Sequence, residues 1–83
     1  PSLTEERRRD LLKIVHKRLE ESKVAIRNVR RAAVDDLREF EREKIISEDE
    51  RDRGLEQIDE LTERYIKEVD EIGKRKEQEV MEV

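Results

Sequence analysis

The sequence predicts an all-α protein that folds as a long antiparallel helical hairpin, and three observations support this prediction. Charged residues make up 53% of the 83 residues, with 20 Lys and Arg against 24 Asp and Glu. This mixture, filled out with Ile, Leu and Val, is typical of long helices and coiled coils. Gly occurs twice and Pro once, so residues that break helices are few. Apolar residues recur every three or four positions, which is the period of a helix with one apolar face.

The first predicted helix covers about residues 4–44. Thr4 or Ser2 can cap its start by accepting a hydrogen bond from the first helical N–H groups. Glu5 and Glu6 suit the positive end of the helix dipole. The apolar stripe of this helix comprises Leu12, Val15, Leu19, Ser22, Ile26, Val29, Ala33, Leu37 and Phe40. We expect this stripe to form the seam with a second helix.

The turn is predicted at residues 45–47, and the second helix is predicted over about residues 48–81. Ser47 and Glu50 have the spacing of a capping box, in which each side chain accepts from the backbone N–H of the other residue. The apolar stripe of this helix comprises Leu55, Ile58, Thr62, Tyr65, Val69 and Ile72. The whole chain, residues 1–83, is therefore predicted to be a single helical domain.

Both stripes are wider than one partner helix can cover, because apolar side chains flank each seam. The flanking residues are Leu11, Ile14, Ala25, Ala32, Leu61 and Ile66. We expect another helix to complete the core, supplied by a second copy, by a missing part of the same protein or by a binding partner. Phe40 and Tyr65 fall within the seams and are predicted to be core residues. Gly73 inside a helix costs roughly 1 kcal/mol relative to Ala, so it indicates a close helix approach or a fraying end.

Positive charge is concentrated in the first part of the chain. Residues 1–31 carry ten basic and five acidic side chains, a net charge of +5, whereas the other 52 residues carry −9. One side of the first helix collects Arg9, Lys13, Lys23, Arg27, Arg30, Arg31 and Arg38.

This basic side has two interpretations, which spacing alone leaves open. A guanidinium group binds phosphate bidentately, so the side suits RNA. In a chain with so many charges, such a side is more often a solvated surface with acidic partners one turn away. Arg27, Arg30 and Arg31 have no acid within the same turn on that side, which favours phosphate binding.

The sequence contains no constellation of catalytic or metal-binding residues. Cys is absent, which excludes a disulfide framework, a zinc knuckle and a thiol nucleophile. His16 is the only histidine and is interpreted as a surface residue. No glycine-rich phosphate loop and no long apolar run are present. We therefore expect no enzyme, no cofactor, no metal ion and no membrane segment. Because the sequence begins at Pro1 and not at Met, we expect a piece of a longer chain.

Three segments carry a family resemblance: LTEERR at residues 3–8, KVAIRNVRR at 23–31 and ISEDE at 46–50. With Lys76-Glu77 and Val80-Met81, they resemble the bacterial and organellar ribosome recycling factor family, in the same order and with compatible spacing. The resemblance covers essentially all 83 residues. It implies an L-shaped protein in which a three-helix bundle carries a small α/β domain inserted after the first helix. This chain is then two-thirds of the bundle, the last two helices, completed by another helix or by self-association.

The resemblance also implies a cytoplasmic function in translation. In the family, the bundle lies on large-subunit ribosomal RNA near the peptidyl-transfer region. Elongation factor G uses the second domain to help split the ribosome, and the factor itself performs no covalent chemistry. By position, Arg27, Arg30 and Arg31 would make the RNA contacts, with Arg8 as a lesser candidate. The implied partners are therefore ribosomal RNA and elongation factor G, besides a second copy or a missing helix.

The sequence departs from the family at several positions. Ala32-Ala33-Val34 follows the double arginine, where the family usually has Asp-Ala-Asn, and Val34 puts an apolar group on the arginine side. Leu19 stands where the family tends to have a small Ala facing the first helix, and Gly54 and Leu55 occupy typically polar positions. These departures support a second hypothesis: an engineered piece of a recycling factor that serves as a helical scaffold or interaction module, with no ribosomal role.

Overall fold

The protein consists of two long antiparallel helices joined by a short loop. A computed structural model describes residues 3–83, so Ser2, one of the two predicted caps, lies outside the described residues. Helix α1 covers Glu5–Arg42 and helix α2 covers Glu48–Glu82. The molecule measures 63 × 15 × 11 Å, as expected for two helices lying side by side. The predicted all-α hairpin is confirmed, and residues 3–83 contain no strand.

Helix α1 begins with a cap at Thr4. The Thr4 backbone is extended, and its Oγ1 accepts a hydrogen bond from the N–H of Arg7 at 3.1 Å. Glu5 and Glu6 lie in the first turn, where their negative charge interacts favourably with the helix dipole. The cap and the charges together fix the start of the helix at Glu5.

Helix α1 ends at Arg42, two residues before the predicted end at residue 44. Lys44 adopts the left-handed conformation, with a φ of 60°. Its N–H donates to the carbonyl of Glu41 at 2.9 Å, and the N–H of Ile45 donates to the carbonyl of Phe40 at 2.8 Å. This is the hydrogen-bond pattern of a Schellman motif. This helix end is difficult to predict from the sequence, because a lysine occupies the left-handed position where glycine is usual.

Helix α2 begins with the capping box predicted at Ser47 and Glu50, which is confirmed. The Ser47 hydroxyl accepts from the N–H of Glu50 at 3.1 Å, and the Glu50 carboxylate accepts from the N–H of Ser47 at 3.0 Å. The hydrogen bond from the Ser47 backbone holds the pKa of Glu50 below its ordinary value, because it stabilises the ionised carboxylate.

The seam between the helices consists mainly of half-buried aliphatic side chains. From α1 it contains Leu12, Val15, Leu19, Ile26, Ala33 and Leu37, and from α2 it contains Leu55, Ile58, Ile66, Val69 and Val80. At the loop end, Arg51 of α2 joins the two helices by donating to the carboxylate of Glu41 at 2.7 Å. The seam contains most residues of the two predicted stripes, but it also includes Ile66 and Val80 and leaves Val29 exposed.

Two glycines of α2 lie under leucines of α1. A Cβ atom on Gly73 would lie 2.6 Å from Cδ1 of Leu19, and one on Gly54 would lie 2.7 Å from Cδ1 of Leu37. Gly73 therefore marks a close helix approach, the first of its two predicted explanations. Leu19 fills the space above Gly73 within the hairpin, as expected for a member of the α1 stripe, although the family tends to have a small Ala facing the first helix at this position.

Several predicted core side chains lie on an open side of the hairpin. Val29 is 70% exposed and Tyr65 is 49% exposed, and Phe40 and Ile72 are also exposed. The prediction that Phe40 and Tyr65 are core residues is therefore wrong for these two helices. With a single neighbour, a helix buries only the narrow strip that faces it. Within the described residues, no apolar side chain is fully buried.

Candidate nucleic-acid interface

Arg27 and Arg31 lie one turn apart on an exposed face of α1. Both side chains are exposed, and residues four apart on a helix share one face. Among residues 3–83, no carboxylate lies within 4.0 Å of either guanidinium group. The two side chains therefore present neighbouring positive charges to solvent, with donors in the fork geometry that suits phosphate oxygens.

Arg30, the third predicted contact residue, is bound to α2. Its Nε and Nη2 both donate to Oδ1 of Asp59, at 3.0 and 2.7 Å. This partner lies on the other helix, so the spacing of acids within α1 does not reveal it. The structure therefore brings Arg27 and Arg31 together on the surface and anchors Arg30 at the border of the seam.

Arg30 belongs to a row of cross-helix pairs that we call the polar edge. His16 Nε2 lies 2.9 Å from Glu77 Oε1, and Lys23 Nζ lies 2.6 Å from Asp70 Oδ1. The α1 members recur every seven residues and so lie along one side of the helix. These pairs hold α1 against α2 along this edge.

In the part of the chain that the structure describes, no group of side chains could hold a metal ion.

Three more basic side chains extend the exposed face of α1. Arg9, Lys13 and Arg38 are exposed, and residues 3–83 offer none of them a carboxylate within 4.0 Å. Val34, expected on the arginine side, is half-buried. The exposed basic face consists of Arg9, Lys13, Arg27, Arg31 and Arg38.

The Arg8 side chain contacts the C-terminal end of α2. Its Nη1 and Nη2 donate to the carbonyl oxygens of Met81 and Val83, at 3.2 and 2.6 Å. These carbonyls lie at the end of α2, where the last C=O groups lack helical partners and the dipole is negative. At 1.5 Å per residue, Arg8 is about 28 Å from Arg27 along the helix axis. Its guanidinium caps α2, and its RNA contact stays a prediction.

The hairpin also has an open apolar face, which borders the polar edge at Arg30. A hollow of about 380 Å³ on this face is lined by Ala25, Ile26, Val29, Arg30, Ala33, Ile58, Leu61, Thr62 and Tyr65. Val29, Leu61, Tyr65 and Ile72 remain exposed there, and no further segment among residues 3–83 covers them. Neither described helix is long and apolar enough to cross a membrane.

Comparisons with known proteins agree with one another. The family model described as Ribosome recycling factor matches residues 1–81. Curated proteins named Ribosome-recycling factor are similar to the chain: that of Roseiflexus castenholzii is 59% identical, that of Chloroflexus aurantiacus 58% and that of Halothermothrix orenii 51%. Each match covers 100% of this chain and 45% of the relative. The chain thus spans less than half the length of these curated relatives.

Proposed function

Because the chain belongs to the ribosome recycling factor family, we propose that it is the ribosome-binding part of a translation recycling factor. It contacts large-subunit ribosomal RNA in the cytoplasm through the basic face of α1. Arg27 and Arg31 are the main phosphate contacts, and Arg30 is a third. The observation that carries this proposal is the pair of neighbouring, exposed guanidinium groups without a carboxylate partner in residues 3–83.

The charge distribution supports this orientation on RNA. Residues 1–31, which form most of α1, carry a net charge of +5, whereas the rest of the chain carries −9. A polyanion therefore attracts the α1 side and repels the α2 side. Binding consists of phosphate contacts and releases counterions, so it weakens as the salt concentration rises. The proposal includes no covalent chemistry and no cofactor.

The proposal is tested by measuring the affinity of the chain for purified large ribosomal subunits at several salt concentrations. Replacing Arg27 and Arg31 together with Ala should weaken binding by about 10- to 100-fold. The slope of log affinity against log salt should become shallower by about 2. The matched control is Arg53→Ala with Arg75→Ala, two exposed arginines of α2, which changes the net charge equally.

The outcomes separate the two hypotheses about the chain. Equal weakening by the two double variants would reject the assignment of Arg27 and Arg31. Negligible affinity of the unmodified chain for ribosomes, together with a defined assembly of its own, would favour the engineered scaffold or interaction module.

We also propose that the open apolar face receives a helix from the part of the relatives' length that this chain does not span. The chain covers 45% of the Roseiflexus castenholzii protein, and the exposed Val29, Leu61 and Tyr65 need a partner. The chain mixed with the N-terminal segment of that relative should sediment as a one-to-one complex. A stable homo-oligomer that does not bind the added segment would indicate that a second copy of the chain covers this face.

Elongation factor G is proposed as a partner of the complete protein. Because the family's second domain is the part that this factor uses, the hairpin alone should occupy the ribosomal site without supporting ribosome splitting. In a recycling assay with a full-length relative, excess chain should therefore inhibit. The variant with Ala at positions 27 and 31 should not inhibit, and inhibition by both proteins would point to another binding surface.

A further inference from the structure

We propose that Asp59 is a positioning residue that holds the Arg30 guanidinium in the orientation in which it binds phosphate. The inference rests on the proposed RNA contact of α1 and adds a residue of α2 to it. Asp59 does not touch the RNA in this proposal. It acts through Arg30, to which it is joined by two hydrogen bonds of 3.0 and 2.7 Å.

The geometry leaves a second edge of the guanidinium free. A guanidinium group has five N–H donors, and Arg30 uses only Nε and Nη2 for Asp59. Among residues 3–83, Nη1 has no hydrogen-bond acceptor, and Nη2 keeps its second hydrogen. The end formed by Nη1 and Nη2 can therefore bind two phosphate oxygens while the side formed by Nε and Nη2 stays on Asp59.

Arg30 and Asp59 form an ion pair that links α1 and α2, and neither has a second partner of opposite charge among residues 3–83. In the described chain, Asp59 has no other basic group within 4.0 Å, and Arg30 has no other carboxylate. Asp59 is therefore anchored on α2 and fixes the end of a side chain that originates on α1. A long arginine side chain loses rotamer freedom when it binds a ligand, and a guanidinium that is already fixed loses less.

An opposite effect has to be weighed, because the carboxylate of Asp59 repels a phosphate. This repulsion is weakened by the adjacent positive charge of Arg30 and by solvent, since 59% of the Asp59 side chain is exposed. The two hydrogen bonds keep the guanidinium in one orientation. In this proposal that fixed orientation has the larger effect on binding, and the variants of Asp59 test it.

The test compares Asp59→Ala with Asp59→Asn in binding to purified large subunits. Asp59→Ala removes the acceptor and should weaken binding about three- to tenfold, with a shallower salt slope because Arg30 no longer makes a full phosphate contact. Asp59→Asn keeps an oxygen that accepts from Nε and Nη2, so its affinity should stay within about twofold and its slope should not change. In an Arg30→Ala background, Asp59→Ala should no longer weaken binding, because no guanidinium remains for Asp59 to position.

The matched control is Asp70→Ala, which breaks the neighbouring pair with Lys23 and changes the net charge equally. It should not weaken binding, and melting curves should show all variants folded at the assay temperature. Tighter binding of both Asp59 variants would make Asp59 a competing counter-ion and overturn the proposal, as would an Asp59→Ala variant that binds like the unmodified chain. Those results leave the RNA contact itself intact, whereas an unmodified chain that does not bind would overturn both proposals.

Discussion

Leu19 of α1 lies so close over Gly73 of α2 that a Cβ atom on the glycine would be 2.6 Å from its Cδ1. The same relationship recurs toward the loop end, where Leu37 lies over Gly54. In both pairs, a leucine fills the space that a missing glycine side chain leaves open. Two such contacts, far apart along the hairpin, fix the register of the helices more narrowly than the apolar stripes do.

Gly73→Ala should destabilise the hairpin through this contact. Overpacking costs about 1–3 kcal/mol, and the better helix propensity of Ala offsets about 1 kcal/mol. We therefore expect a net loss of about 1 kcal/mol in the free energy of unfolding, measured by urea denaturation. In a Leu19→Ala background the clash is absent, so the same change should stabilise by about 1 kcal/mol. An equal effect in both backgrounds would contradict this account of the contact.

Local chemistry explains which parts of the fold could be predicted from the sequence. The helical period indicates two helices, and the cap at Thr4 and the box at Ser47 depend on residues a few positions apart. The end of α1 was not predictable in this way, because Lys44 takes a left-handed conformation that its residue type does not indicate. The exposure of Val29 was missed because a stripe does not tell which of its members face the neighbouring helix.

In the candidate site, too, the features set by one helix could be predicted from the sequence, and the contacts between the two helices could not. The exposure of Arg27 and Arg31 follows from their positions on one helix, and the sequence predicts it. The bond between Arg30 and Asp59 depends on the register of two helices, which sequence spacing does not supply. The capping role of Arg8 was missed for the same reason, since its acceptors lie at the opposite end of the chain.

Lys44→Gly should stabilise the protein. Lys44 has a φ of 60°, and this left-handed conformation costs a residue with a Cβ roughly 1–2 kcal/mol. Glycine avoids this cost but loses more chain entropy on folding, so we expect a net gain of about 0.5–1 kcal/mol in thermal or urea unfolding. Lys44→Ala is the control, because it removes the side chain and keeps the strain. A glycine variant no more stable than the alanine variant would contradict the role assigned to this residue.

The capping box should give the stability a measurable dependence on pH. The pKa of Glu50 is lowered in the folded state, chiefly by the hydrogen bond from the Ser47 backbone. Its contribution is therefore complete above the ordinary glutamate pKa of about 4.3 and is lost as the pH falls through the lower folded-state value.

Melting temperatures of the unmodified chain and of Glu50→Gln, measured from neutral pH to about pH 3, test this dependence. Glutamine can still close the capping box but does not titrate at this position. The advantage of the unmodified chain over the variant should shrink as the pH falls, and a constant difference would contradict a lowered pKa of Glu50.

Arg8→Ala should loosen the end of α2. The variant loses the donors to Met81 and Val83, so amide hydrogens in the last turn of α2 should exchange faster, while those near Thr62 keep their protection. We expect a loss of about 1 kcal/mol in the free energy of unfolding. Arg9→Ala is the matched control, because Arg9 is exposed and the charge change is the same. Equal exchange in both variants would contradict the capping role of Arg8.

Leu61→Gln should separate the stability of the hairpin from its ability to bind a third helix. Leu61 is 44% exposed on the open apolar face, so the change should alter the unfolding free energy of the chain alone by less than about 0.5 kcal/mol. If the N-terminal segment of a relative covers this face, the same change removes about 0.7–1.3 kcal/mol of apolar burial, because only 44% of the side chain is still exposed, and the affinity for that segment should fall about 3- to 10-fold. Ile66→Gln is the control, because Ile66 is half-buried in the seam and its loss should destabilise the chain alone. Unchanged affinity of the Leu61 variant, measured by calorimetry, would place the third helix on another surface.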